Sequence, residues 1–442
     1  MRNFMKKVAV IAAIAITTTA GFAQTNYVHQ VIILNEGQYT YFDSNQVTPV
    51  TLGAYDPIAD TYAVFSTITN ARFGSDLLMD GDNIYVAADT ILYVYDKNSL
   101  SLTNSTVIKG IRKLAIWNNQ LLVTIGENAV AFDSYFEVYD KSSLSLIYKL
   151  NTTNGPIYSV EGISVVNDTA YLGINNALLD WMNPTGIIGI VDLNNQTYAG
   201  EVDMGVDGVN PDNLMVDGTM IYTLNNKDFK GSSISAFNTL DRTIITTNLA
   251  APSGCGSSVL ADNNIYYHRY IYDTLWNDIN VKVHKYDINT QLVDSVNPNL
   301  SDLYGMVHDN INGYLYVANT DFTSWGMAYK MQYDGTLIDS FAVGVSPGTL
   351  ALDIRTIVSV DDNSNETRIV IYPSIVDDVI TVKFEQISSA NVRILNTIGQ
   401  QVLQFTSQGE GLDINVRELR SGLYFITVET DRNTVTQRFV VK

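Results

Sequence analysis

The sequence has little of the chemistry on which many enzymes and metalloproteins depend. Cys255 is the single cysteine among 442 residues, which excludes an intramolecular disulfide framework and any cluster held by several cysteines. There are 4 histidines against 27 tyrosines, and no two histidines have metal-ligand spacing. Basic residues are also scarce, with 26 Lys and Arg against 46 Asp and Glu. The net charge of −20 argues against nucleic acid and anionic lipid as partners, because their phosphates are repelled.

Long apolar runs are missing after the first 20 residues, so the sequence predicts no transmembrane segment in the mature chain. The N-terminal stretch has basic residues, an apolar segment at 8–16 and small residues at 20–23. This order predicts a secretory signal peptide over residues 1–23. A buried core helix is the alternative interpretation.

A repeated unit fills residues 24–360. Each unit has a polar turn followed by a short strand, which often carries tyrosine, as at 82–86 and 168–172. These strands are centred on Ile33, Tyr85, Leu122, Tyr171, Tyr222, Tyr266 and Tyr316. Successive centres lie 37 to 52 residues apart, close to the length of a four-stranded propeller blade. The repeat therefore predicts an all-β, seven-bladed β-propeller, with an elongated β-solenoid as the competing fold.

The two ends of the repeat predict that the ring closes on itself. The first unit lacks the inner strand that precedes each later centre. Residues 346–353 have the pattern of an inner strand, but no further unit follows them. We expect this strand to complete the first blade, which removes exposed sheet edges.

Residues 366–442 differ from the repeat and follow a polar linker at 361–365. Short alternating strands separated by turns predict a small Ig-like β-sandwich here. The predicted strands are 369–372, 379–384, 390–395, 401–405, 412–416, 422–429 and 434–441.

Motifs in this C-terminal region carry a specific resemblance. The motif residues are Tyr372, Pro373, Asn396, Gly399, Gly422, Tyr424 and Lys442. In order, spacing and terminal position they resemble the type A C-terminal sorting domain of type IX secretion, the Por secretion tail. Members usually carry Asn-Pro where this chain has Ser374 and Ile375. The resemblance implies recognition by the type IX secretion machinery and export across the outer membrane, with release or surface attachment. An ordinary carbohydrate-binding or adhesive sandwich is the alternative.

The repeat itself resembles the quinoprotein-dehydrogenase-like or YVTN-type seven-bladed propellers. Residues 34–37, at the start of the first blade, are similar to propellers exported by Bacteroidota. Some members of that group are surface proteins that bind cobalamin or other nutrients. The likeness therefore implies a secreted or cell-surface protein.

Catalytic signatures are missing from the sequence. It has no Gly-x-Ser-x-Gly elbow and no P-loop. Cys255 lies in a glycine-rich loop with no nearby His or Lys, so we interpret it as a small buried thiol. Residues 308–313 resemble a calcium loop, but Asn319 occupies the position of the required glutamate. We therefore predict no catalytic residue, no metal and no cofactor.

Aromatic residues in the loops that follow the central strand of each unit, and in the connections between blades, suggest binding instead. Rings on a rigid scaffold supply contact area at low entropic cost. The candidate ligand-binding residues are Tyr39, Tyr41, Trp181, Phe229, Tyr272, Trp276, Phe322 and Trp325. The leading hypothesis is a secreted or surface propeller that binds a glycan, a nutrient or a protein. The alternatives are rings that pack as minor cores, a structural adhesin, or a hydrolase, lyase or oxidoreductase with carboxylates at the central channel.

Overall fold

The computed structural model shows an all-β protein, as the sequence predicts. It describes residues 22–41, 44–180, 182–226, 231–249, 253, 258–269, 282–297, 300, 302–360, 369–384, 389–409, 411–430 and 434–442. Within these ranges, no helix has the length and apolar character that crossing a membrane requires. Residues 26–356 form one compact unit, and residues 357–442 belong to a second.

The first unit contains seven four-stranded sheets, the blades of a propeller. Blades 2 to 7 each use four consecutive antiparallel strands, with the innermost strand first in the chain. Blade 2 has strands Gly74–Asp80, Asn83–Ala88, Ile91–Asp96 and Leu102–Val107; blade 3 has Ile111–Trp117, Gln120–Ile125, Ser134–Asp140 and Leu146–Asn151; blade 4 has Ser159–Val166, Thr169–Asn175, Ile187–Asp192 and Thr197–Asp203. Blade 5 has Pro211–Asp217, Met220–Asn225, Ser232–Asn238 and Ile244–Leu249; blade 6 has Ser258–Ala261, Asn264–Arg269, Lys282–Asp287 and Val293–Asn297; blade 7 has Leu303–Asp309, Tyr314–Asn319, Trp325–Met331 and Leu337–Val345.

Blade 1 is assembled from both ends of the ring. Its innermost strand is Pro347–Val360, which pairs with Phe22–Asn35. The outer strands are Val50–Asp56 and Thr61–Ile68. The predicted closure is therefore confirmed, although the closing strand is longer than the predicted 346–353. A two-stranded hairpin of Gln38–Thr40 and Asn45–Thr48 is inserted in this blade.

The second strand of each blade carries the clearest sequence signal because it lies deepest in the fold. In Gln120–Ile125 every residue after the first is buried, whereas Leu102–Val107, an outermost strand, is mostly exposed. Apolar residues of neighbouring blades pack together between the sheets, as Leu34 does with Ile84 and Val86. Burial on both faces explains why these strands are continuously apolar.

Aspartates recur at the corner after the third strand for a local reason. The Asp96 carboxylate accepts backbone N–H bonds from Asn98 and Ser99, and Asp140 does the same for Ser142 and Ser143. In such Asx turns the carboxylate accepts hydrogen bonds from backbone N–H groups that have no strand partner at the corner. The pKa of Asp140 is lowered by the Ser142 hydroxyl and then by these backbone bonds, and that of Asp96 by the backbone N–H and hydroxyl of Ser99. Much of the negative charge therefore belongs to turns and not to a catalytic site.

The histidines and the calcium-like loop have local roles in the described structure. His268 and His284 are buried on adjacent strands of blade 6, and the His308 Nε2 lies 2.7 Å from the Tyr333 hydroxyl. Asp309 accepts the backbone N–H groups of residues 311 and 312, which forms the predicted tight turn. Within the described ranges, no group of three or more His, Cys, Asp or Glu residues has metal-binding geometry. Cys255 lies outside those ranges.

The second unit contains two sheets packed face to face around one apolar core. One sheet has strands Ile369–Tyr372, Val379–Phe384 and Gly411–Asn415; the other has Ile375–Val376, Thr434–Val441, Gly422–Glu429, Ala390–Asn396 and Gln401–Ser407. Ile380 and Val382 of the smaller sheet pack with Ile394 and Ile426 of the larger one. The predicted β-sandwich is confirmed, with one additional two-residue strand.

Candidate ligand-binding site at the mouth of the propeller channel

The inner strands place polar side chains around one end of the central channel. Six of these strands contribute a residue from their second or third position to an inner cavity of about 320 Å³. These residues are Ser75, Arg112, Glu161, Asp212, Tyr304 and Gly348. In blades 2, 3, 4, 5 and 7 the register shifts at this point of the inner strand. Bulges of this kind redirect side chains, which accounts for polar groups that face the channel.

Ion pairs organise the floor of the inner cavity. Arg112 binds Glu161, with its Nη2 at 2.5 Å and its Nε at 3.0 Å from Oε2. Lys113 lies 3.5 Å from the Asp76 carboxylate and donates to the backbone carbonyl of Ser75 at 2.9 Å. Each pair joins neighbouring blades, so the cations are held in place by charge-assisted bonds.

Glu36 enters the same cavity from blade 1. The Tyr304 hydroxyl lies 3.0 and 3.1 Å from its two carboxyl oxygens. Gly348 brings the closing strand against the Glu36 carboxyl group, where a Cβ would require that side chain to shift. Burial raises the pKa of Glu36 to about 7, although the hydrogen bond from Tyr304 and the charges of Lys113 and Arg112 oppose the shift. Glu36 is therefore a carboxyl group that changes charge near neutral pH.

An outer cavity of about 660 Å³ lies against the inner one. Both cavities are lined by Glu36, Phe73, Arg112, Leu178 and Tyr304. The outer wall adds the rings of Tyr39 and Tyr41 from the blade 1 hairpin, and Phe322 from blade 7. The rings of Phe322 and Tyr304 meet edge to face, with centroids 5.1 Å apart. An aromatic rim therefore leads into a polar floor.

Arg72 completes the outer wall and is held by two carboxylates. Its Nη2 lies 2.5 Å from Asp89 Oδ1 and 2.7 Å from Glu127 Oε1. The guanidinium carbon is also 5.5 Å from the centroid of the Phe73 ring. These contacts join blade 2 to a loop of blade 3 and fix the edge of the rim.

The structure brings together three of the residues predicted to bind a ligand. Tyr39, Tyr41 and Phe322 line the outer cavity. Trp325 begins the third strand of blade 7 and is 67 % exposed, outside the lining of either cavity. The remaining four, Trp181, Phe229, Tyr272 and Trp276, lie outside the described residues.

Sequence reasoning missed the polar floor. Glu36, Arg112, Glu161, Asp212 and Tyr304 were not singled out as candidates, although all five line the inner cavity. One signal was available: four of them occur at the start of an inner strand. An alignment of the repeat units on their inner strands would have placed these four residues in one column.

We expect Glu36→Gln to stabilise the propeller at pH 8 and to leave its stability unchanged at pH 4. The folded pKa of about 7 lies above the ordinary value of 4.5. The folded protein keeps this carboxyl protonated up to a higher pH than the unfolded chain does. Its contribution to the free energy of unfolding is therefore fully present below pH 4.5 and is lost as the pH rises to 7. The difference between these two pKa values corresponds to at most about 3 kcal/mol in the free energy of unfolding. Chemical denaturation of both proteins from pH 4 to pH 8 measures the difference.

Asp217→Asn is the matched control, because Asp217 is an exposed carboxylate at the far end of an inner strand. It should give no such pH-dependent difference. The prediction would be contradicted if the free energies of unfolding of Glu36→Gln and the native chain differed by the same amount at every pH in this range.

The motif residues of the C-terminal sandwich have defined structural roles. Asn396 accepts backbone N–H bonds from Ile398 and Gln400, and Gly399 completes that turn with a φ of +78°. The Tyr424 hydroxyl donates to the carbonyl of Arg420 at 2.9 Å, and its ring packs on the Phe439 ring.

Strand edges at the chain terminus are also paired. The Lys442 N–H donates to the carbonyl of Val376 at 3.0 Å, and the Val440 N–H donates to that of Ser374. The motif residues therefore build the turns and the last strand of one sandwich.

A family model described as a secretion system C-terminal sorting domain matches residues 370–442. Residues 370–442 are a type IX secretion sorting domain. Its presence indicates export to the cell surface or the extracellular space, and it implies interaction with the type IX secretion machinery. The departure at Ser374 and Ile375 does not disturb the sorting domain, because Ile375–Val376 pairs with the last strand.

Solved structures support the propeller fold of the first unit. A quinonprotein alcohol dehydrogenase-like protein from Bacteroides thetaiotaomicron is 16% identical, with a TM-score of 0.54 over 74% of this chain and 79% of that one. Hydrazine synthase of Kuenenia stuttgartiensis is 14% identical, with a TM-score of 0.54 over 66% and 97%. A candidate 6-phosphogluconolactonase from Bacteroides uniformis is 13% identical, with a TM-score of 0.51 over 73% and 99%. At these identities the likeness is one of fold. No curated protein sequence matches the chain.

Proposed function

We propose that this protein is an exported propeller that binds a small ligand at the mouth of its channel. The observation that carries the proposal is the continuity of the two cavities, which share five lining residues. A concave site with apolar walls and a few convergent polar groups is the usual form of a small-molecule site.

The division of the mouth into rim and floor fits ligand recognition. Tyr41 is 67 % exposed and Phe322 is 47 % exposed, so both rings present apolar surface to solvent. Glu36, Arg112 and Tyr304 line the same outer cavity as these rings and extend into the inner one. A ligand can therefore bury a face against the rings while its polar groups meet the floor. Blades on every side hold these groups, which limits the entropic cost of binding.

We expect the double variant Tyr41→Ala, Phe322→Ala to bind its ligand at least about tenfold more weakly, which is about 1.4 kcal/mol. Both rings are already exposed, so their removal should cost little folding stability. The first step is a thermal-shift screen of the full exported chain with monosaccharides, oligosaccharides, cobalamin and amino acids. Calorimetry then gives the Kd of each hit for the native protein and the variant.

Two single variants sharpen this test. Leu240→Ala removes an exposed apolar side chain from a turn of blade 5 and should not change the Kd. Trp325→Ala tests the sequence-based hypothesis that this residue contacts the ligand, which predicts a higher Kd. The cavity geometry predicts an unchanged Kd, because Trp325 lines neither cavity. An unchanged Kd in the Tyr41, Phe322 double variant would refute the proposed site.

The competing proposal is a propeller enzyme with carboxyl groups at the channel. The screen distinguishes the two, because mass spectrometry of each bound compound after incubation detects turnover. Recovery of every hit unchanged supports a binding protein, whereas conversion that is lost in Glu36→Gln supports an enzyme.

A further inference from the structure

The charges at the channel mouth are unequal. The three cations of the two cavities already have carboxylate partners: Arg112 has Glu161, Lys113 has Asp76, and Arg72 has Asp89 and Glu127. Within the described ranges, neither Glu36 nor Asp212 forms an ion pair, although both line the inner cavity. The inner cavity therefore has an excess of carboxyl groups over cations.

One carboxyl oxygen in this cavity is short of a hydrogen-bond donor. Glu161 is 9 % exposed, and its Oε2 receives both bonds from Arg112. Its Oε1 is buried without a hydrogen-bond partner in the described structure. A buried acceptor without a partner has lost the hydrogen bonds that it would make with water, which costs free energy. A ligand that brings a donor to Glu161 Oε1 would recover that free energy.

Asp212 lies near Glu161, one blade further round the ring. Burial raises the pKa of the Asp212 carboxyl; the charge of Lys113 opposes this shift, the charge of Glu161 adds to it, and that of Arg112 opposes it again. The two carboxylates repel each other, so a cation that contacts both relieves that repulsion. Asp212 and Asn213 lie within the register shift of their strand, and both line the cavity.

The rest of the cavity suits hydroxyl groups. The amide side chains of Asn175, Asn210 and Asn226 line it, and amides both donate and accept hydrogen bonds. Glu36 and Tyr304, which also line this cavity, offer a further acceptor and a hydroxyl. Aromatic rings at the rim add surface on which the apolar face of a ring-shaped ligand can stack.

We propose that the inner cavity binds a small hydroxyl-rich cation, with a protonated amine held between Asp212 and Glu161. This inference rests on the proposed function and names the chemical class of its ligand. The matching probe is an amino sugar. Neutral and acidic sugars of the same ring size differ from it in charge. Comparison of their affinities therefore shows how much the amine contributes to binding.

Calorimetry of the full exported chain with glucosamine, glucose and glucuronate at about pH 6.5 tests the inference. We expect glucosamine to bind at least about tenfold more tightly than glucose, and glucuronate to bind more weakly than both. Asp212→Asn should weaken glucosamine binding by about tenfold and leave glucose binding nearly unchanged. Asp217→Asn, on the exposed end of the same strand, should change neither. Thermal denaturation of each variant checks that it is folded.

The other outcomes are also decisive. Equal binding of glucose and glucosamine, weakened by Tyr41→Ala and Phe322→Ala, would overturn the charge assignment and leave the proposed site standing. Preferential binding of glucuronate would show that the cations dominate the cavity. Binding of none of the three sugars overturns this inference, while the wider screen with its rim variants decides the proposed function separately.

Discussion

A chain that ends at Ser346 should fail to form a stable propeller, whereas a chain that ends at Val360 should fold. The difference is the strand Pro347–Val360, which is the inner strand of blade 1. Without it, the strand Phe22–Asn35 loses its partner at the channel and the ring is left open. We expect a decrease of more than about 5 kcal/mol in the free energy of unfolding, a large part of the stability of an ordinary domain.

The contacts of the closing strand justify this magnitude. Leu350 is buried among Val31, Ile33 and Val343, and removal of one such side chain costs about 2–5 kcal/mol. The Asp353 side chain is fully buried and binds Arg355 at 2.7 Å. It also lies 3.5 Å from the Lys97 ammonium group of blade 2, so it connects the two blades. Its loss would leave Lys97 without this buried partner.

Chemical denaturation of the two truncated chains measures the effect directly. The single variant Leu350→Ala in the chain that ends at Val360 should lower the free energy of unfolding by about 2–5 kcal/mol. Leu240→Ala, in an exposed turn, is the control and should change it by less than about 0.5 kcal/mol. Equal stability of the two truncated chains would show that closure by this strand is dispensable.

Deletion of residues 366–442 should abolish delivery to the cell surface and leave a folded propeller in the periplasm. The sorting domain has its own two sheets and its own core, and the strands of the propeller lie before residue 361. In a host with type IX secretion, the surface and medium fractions should lose nearly all of the protein. Periplasmic retention of the product relies on the signal peptide predicted at residues 1–23. Fractionation and immunoblotting measure the distribution.

A point variant tests whether export requires the sorting domain to be folded and not only to be present. Tyr424→Ala removes a ring that packs on Phe439, together with a hydrogen bond to Arg420. We expect a loss of about 3–5 kcal/mol in the stability of this sandwich, and export should fall sharply while the propeller stays folded. Gln404→Ala, on an exposed strand of the same domain, should be exported normally. Normal surface delivery of the deleted chain would refute the role of the sorting domain.

Strand positions followed closely from the sequence because alternation and turn residues are local. Four strands of the sorting domain, including Gly422–Glu429 and Thr434–Val441, have the predicted bounds. The strand Ile375–Val376 was missed, since two residues show no period and its partner is 65 residues away. The hairpin in blade 1 was missed for the same reason, because each of its strands has three or four residues.

The candidate site was predicted only in part. Aromatic rings in loops are conspicuous in a sequence, so Tyr39, Tyr41 and Phe322 could be named as candidates. The floor was not found, because charged residues near strand ends are common and most of them have ordinary surface roles. Register shifts in the inner strands are what turn Arg112 and Asp212 towards the channel, and the sequence contains no plain signal for them.

The scarcity of cysteine, histidine and basic residues, the repeat and the C-terminal motifs determined the class of this protein. Those features specify an acidic, exported, all-β chain with a closing strand and a sorting domain, because each depends on neighbouring residues or on composition. Tertiary structure decided which groups meet. Tyr304 reaches Glu36 across 268 positions in the chain. Their proximity arises because seven blades complete one turn and bring the first and last blades together, a consequence of the whole ring that no single segment contains.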